Sequence, residues 1–111
     1  MKIVLGTANF YNRYGVSNSK IKNVIELKKI LNFLKRKKIR YIDTAFSYNL
    51  NNKFHNKIDL SSFKIITKFK LPIKNKKLFI KKLNLKIENE LKIFGINKFE
   101  AILLHNTNDL N

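Results

Sequence analysis

The sequence predicts an α/β domain built on a parallel sheet, and three observations carry that prediction. Short β-prone apolar runs alternate with two long runs of helical periodicity. The order of these runs is β-α-β-(α)-β-α-β, which joins parallel strands through right-handed crossovers. Strands two, three and four each close on a polar side chain, namely Asp43, Lys68 and His105. Polar residues gathered at the carboxyl ends of parallel strands are how an α/β sheet assembles a site.

The first strand is Lys2-Ile3-Val4-Leu5, passing into Gly6-Thr7-Ala8. A polar loop is expected over 9–19, with Gly15 at a turn and Ser17-Asn18-Ser19 as helix-capping residues. A helix follows over about 20–37, because Val24, Leu27, Leu31 and Leu34 recur at helical spacing. Strand two runs from Tyr41 to Ala45, and Phe46-Ser47-Tyr48-Asn49 suits a loop that presents a tyrosine. The stretch 49–62 is weakly patterned, with a short helix at most around 52–58.

Strand three covers Lys64 to Phe69, and Pro72 stops it. A strongly amphipathic helix then spans about 76–94, with Ile80, Leu83, Ile87, Leu91 and Phe94 as its stripe. Asn75 is placed to cap its start and Gly95 to take the left-handed position after its end. Strand four covers Glu100 to Leu104.

Composition sets the remaining limits. The 111 residues suffice for one small domain, and the absence of cysteine excludes disulfides and thiolate metal sites. No metal site is expected, since His55 and His105 are distant and no carboxylates cluster near them. No apolar run approaches the roughly 20 residues of a membrane span, and the start of the chain lacks signal-peptide architecture, so a cytoplasmic protein is expected. The net charge of +17 invites a nucleic-acid reading. The lysines, however, fall on outer helix faces beside abundant asparagine and isoleucine, as codons of an AT-rich genome favour. A solvated basic surface is therefore expected rather than a nucleic-acid groove.

The chemistry-bearing residues also carry a resemblance. Leu5-Gly6-Thr7-Ala8, Tyr14-Gly15, Ile42-Asp43-Thr44-Ala45 with Tyr48, Ile66-Thr67-Lys68 and Leu103-Leu104-His105 together resemble the first half of an aldo-keto reductase. That family consists of (β/α)8 barrels that reduce carbonyls with NADPH. The resemblance implies an α/β half-barrel of about four strands and two to three helices over residues 1–111, with the C-terminal half absent.

It also implies catalytic roles for Asp43, Tyr48, Lys68 and His105, and cofactor contacts at Gly6, Thr7 and Asp43. Tyr48 would be the proton donor to the carbonyl oxygen. Lys68 would sit beside it, Asp43 would hold the lysine, and His105 would orient the substrate. A free phenol has a pKa of about 10, so it needs a neighbouring cation to act near neutrality. Because most NADPH contacts of that family lie on strands five to eight, the chain is expected to be a truncated form with little activity alone.

The expected partners are a small carbonyl substrate and either a complementing C-terminal half or a second copy; neither a membrane nor nucleic acid is expected. The alternative is a basic, non-catalytic module that binds nucleic acid or a protein partner. One departure bears on the backbone. Lys38 stands where that family has a glycine at the helix end, and a left-handed non-glycine residue costs on the order of 1 kcal/mol.

Overall fold

A computed structural model describes residues 2–11, 23–48, 57–70 and 76–106. Four short strands form one parallel sheet: β1 (Val4–Gly6), β2 (Tyr41–Asp43), β3 (Lys64–Phe69) and β4 (Ala101–Leu104). Between them lie one helical turn, α1 (Ala8–Tyr11), two longer helices, α2 (Val24–Arg36) and α3 (Lys76–Phe94), and a 3-10 turn at Phe46–Tyr48.

The strand order is β1-β2-β3-β4 with no reversal. A doubly wound sheet reverses its order at a switch point, whereas a barrel adds each strand beside the last. The helices cover one face, where Leu27, Leu31 and Leu34 of α2 and Phe94 of α3 pack in one cluster with Ile42 and Ile65. This is half of a (β/α) barrel, as the resemblance implies.

Register fixes which strand residues share a face. Leu5, Ile42 and Ile65 stand side by side and point to the helices. Their neighbours Gly6, Asp43 and Ile66 stand in the next row, on the opposite face. Lys68 lies two residues beyond Ile66 and therefore shares that face, paired with Leu103. On this side, which no helix among the described residues covers, Val4 and Leu103 are exposed.

The helix boundaries have local causes. α2 starts at Val24 rather than near residue 20, because the Asn23 side chain accepts a hydrogen bond from the Glu26 amide at 2.9 Å. The capping residues expected at Ser17-Asn18-Ser19, with Tyr14, Gly15 and residues 20–22, lie outside the described residues. So do residues 49–56 with His55, and Pro72 and Asn75.

Both long helices end in the same motif. In α3 the Gly95 amide donates to the Lys92 carbonyl and the Ile96 amide to the Leu91 carbonyl, with Gly95 at φ +63. In α2 the Lys38 amide donates to Lys35 and the Ile39 amide to Leu34, with Lys38 at φ +57. Lys38 is thus a left-handed non-glycine residue, at the position where the sequence suggested one.

Two further sequence expectations differ from the structure. Asn9 is helical, within α1, rather than part of a polar loop; the Phe10 amide donates to the Thr7 carbonyl and starts the turn. The α3 stripe begins at Phe79 and not at Ile80, which is 57% exposed. Phe79 sits four residues before Leu83 and stacks on Phe69, with ring centroids 5.8 Å apart. The stripe also holds a charge that periodicity gave no reason to place there: Glu90 is buried and pairs with Lys86 at 2.8 Å.

Candidate active site

Asp43 ends β2 and is tied to the strands on both sides. Its carbonyl accepts from the Thr7 amide and from Thr7 Oγ1, both at 3.0 Å. The next amide, Thr44, donates to the Ile66 carbonyl at 2.8 Å. The carboxylate then projects from a backbone that has little freedom to move. Lys68 reaches it from β3, with Nζ 2.7 Å from Oδ1 and 2.5 Å from Oδ2. The same ammonium lies 3.4 Å from the Thr44 carbonyl.

The two side chains are only 33% and 23% exposed. An ion pair so shielded is stronger than a surface pair, because water competes less for its hydrogen bonds.

Tyr48 closes the 3-10 turn, its amide donating to the Ala45 carbonyl at 3.0 Å. His105 continues the β3–β4 ladder, its amide donating to the Phe69 carbonyl at 2.8 Å. The turn and the ladder bring the two rings edge to face, with centroids 6.3 Å apart and planes at 84°. His105 Nδ1 is buried and makes no hydrogen bond among the described residues. A buried ring nitrogen in that state costs free energy unless something polar meets it.

The four residues thus form two pairs, Asp43 with Lys68 and Tyr48 with His105. Among the described residues no hydrogen bond links the Tyr48 hydroxyl to the Lys68 ammonium. The sequence predicts that ammonium beside both Asp43 and Tyr48; its hydrogen bonds go to the Asp43 carboxylate and to the Thr44 carbonyl.

Gly6 and Thr7 differ in what they offer. Gly6 is exposed beside Asp43 on the face opposite the helices, and a Cβ built there would meet nothing within 4 Å. Thr7 is fully buried, and its amide, hydroxyl and carbonyl are all engaged. Any part that Thr7 plays is through holding Asp43.

Sequence reasoning missed two features. The Thr44 carbonyl, a second acceptor for Lys68, left no mark in the residue pattern. The other feature is a cavity of about 320 Å³ beside the pairs, reached by both Lys68 and His105. Its aromatic wall at Phe69 and Phe79 was legible in principle, since Phe79 stands one helical turn before Leu83.

No protein-family model matches the chain, and no curated protein matches it. Among solved structures, the chain is similar to a crystal structure of a candidate aldo-keto reductase from Pseudomonas aeruginosa, with a TM-score of 0.65 and 22% identity. The match covers 94% of this chain and 42% of the other, so the chain spans less than half the length of that neighbour. No helix among the described residues is long and apolar enough to cross a membrane. At this identity the likeness speaks for the fold alone: the chain has an aldo-keto-reductase-like (β/α) fold, in the form of a partial barrel.

Proposed function

We propose that the chain carries the proton-transfer residues of an NADPH-dependent carbonyl reductase, acting on an aldehyde or ketone. The observation that carries this reading is the Asp43–Lys68 pair at the carboxyl ends of β2 and β3, with Tyr48 and His105 paired at the adjoining ends. Reduction of a carbonyl leaves charge on its oxygen, which needs an acid and oriented donors. Tyr48 is the acid in this reading. His105 orients the carbonyl oxygen, and Asp43 fixes Lys68 so that its positive charge stays at the site.

NADPH supplies the hydride when bound. The fit of the described residues to it is local. Gly6, exposed beside Asp43 with open space above it, leaves room for a planar ring to approach the backbone. Such a contact holds the reacting end only, so the chain by itself is expected to bind NADPH weakly. A complementing half of the barrel, or a second copy, would supply the remaining contacts.

The alternative of a basic module for nucleic acid or a protein partner draws no support from the fold or from the comparisons. The test is turnover that depends on Tyr48: slow NADPH-dependent reduction of an aromatic aldehyde, lost in Tyr48→Phe. An equal rate in that variant would overturn the reading.

A further inference from the structure

The cavity of about 320 Å³ beside the two pairs lies where the 3-10 turn, the ends of β3 and β4, and the first half of α3 meet. Such a volume lies at the lower end of what small-molecule sites occupy. Its wall is apolar and aromatic, formed by Phe46, Phe69, Phe79 and Leu83. Phe69 and Phe79 are stacked at 5.8 Å with planes 30° apart, so they present a firm surface for another ring.

The cations around the cavity are not equivalent. Lys68 is taken up by Asp43, and Lys86 is paired with Glu90 while its Nζ lies 5.8 Å from the Phe46 ring centroid. Lys70 and Lys82, which also line the cavity, are exposed and form no ion pair or hydrogen bond among the described residues. At its other side the cavity is lined by His105. An apolar, aromatic wall flanked by two cations that have no ion pair among the described residues selects one ligand chemistry: an apolar, ring-bearing body with an anionic end.

We propose that this cavity binds a small aryl-alkyl carboxylate. Its ring lies against Phe69 and Phe79, and its carboxylate meets Lys70 and Lys82. The binding claim stands without any reductase activity. It deepens the proposed function, and rests on it, only in naming the substrate class: a carbonyl compound whose apolar body ends in a carboxylate.

The test is an amide-resolved NMR titration of the full chain, without cofactor, using 4-phenylbutyrate and its neutral counterpart 4-phenylbutan-1-ol. Weak binding, with Kd on the order of a millimolar, is expected for so small a ligand. Shifts should concentrate at Phe46, Phe69, Leu83 and His105. The acid should bind about tenfold more tightly than the alcohol at low salt, and the gap should narrow as salt is raised.

The exposed double variant Lys70→Gln/Lys82→Gln should reduce that gap to about twofold while leaving the affinity for the alcohol unchanged. Equal affinity for acid and alcohol would overturn the proposal. So would shifts spread over Lys28, Lys29 and Arg36 of α2, which would mean that the acid meets only the general positive charge. Because no cofactor is present, failure here leaves the reductase reading standing, and failure of turnover leaves the binding result standing.

Discussion

Lys68 Nζ lies 2.7 and 2.5 Å from the two carboxylate oxygens of Asp43, across the step from β2 to β3. Asp43 itself is fixed from the other side by Thr7, whose amide and hydroxyl both donate to its carbonyl. Removing the lysine leaves a shielded carboxylate without its cation. Lys68→Met is expected to destabilise the fold by about 1–2 kcal/mol, between the values for exposed and fully buried pairs. Asp43→Asn in the Lys68→Met background should recover part of that loss. A double-mutant cycle by urea denaturation measures the coupling. Additive effects of the two substitutions would mean that the pair contributes nothing.

Two buried threonines predict opposite outcomes for the same substitution. Thr67 is fully buried and its Oγ1 has no partner among the described residues, so Thr67→Val should stabilise by about 1 kcal/mol. Thr7 is equally buried, but its Oγ1 donates to the Asp43 carbonyl, so Thr7→Val should destabilise by about 1 kcal/mol. Thermal unfolding of the two variants side by side reads the difference in sign.

Lys38 occupies a left-handed conformation at the end of α2 that glycine adopts without strain. Lys38→Gly should therefore stabilise by about 1 kcal/mol. Lys37→Gly, one residue earlier at φ −82, should bring no such gain. Denaturant midpoints of both variants decide this.

The sheet has two edges, and among the described residues β1 and β4 each have a single neighbour. Ile3, Val4, Ile102 and Leu103 are exposed there. Unpaired apolar edges invite a second chain, while a net charge of +17 opposes the approach until salt screens it. Sedimentation should thus show self-association that grows from low to moderate salt, and Leu103→Lys should weaken it. A monomer unaffected by salt would contradict this.

Much of the fold was legible because its signals are local. The β3 boundaries and the α3 span follow from apolar runs and from the Gly95 signal, and Lys38 betrayed its conformation by standing where a glycine is expected. The start of α2 was misplaced because several Ser and Asn residues compete as caps, and only the geometry shows Asn23 accepting from Glu26. The α3 stripe was read one residue late because Phe79 and Ile80 are both apolar, and contact with Phe69 decides between them.

At the site, the order of Asp43, Lys68 and His105 at strand ends was readable from sequence. The separation into two pairs was not, because it depends on where the Lys68 ammonium finds its acceptors. Of the cavity wall, the helical spacing of Phe79 and Leu83 was legible, but the meeting of Phe46, Phe69 and Phe79 from three elements was not.

Tyr48 is the proton donor in the proposed reaction, and the most direct test of that role is NADPH consumption with an aromatic aldehyde at high protein and millimolar cofactor concentrations. The wild-type chain should show a slow rate above the aldehyde-free blank. Tyr48→Phe should lower it by about a hundredfold or more, as expected for loss of a general acid. Tyr41→Phe, a tyrosine at the other end of β2, should leave it unchanged. Equal rates in wild type and Tyr48→Phe, or no rate above the blank in wild type, would contradict the account.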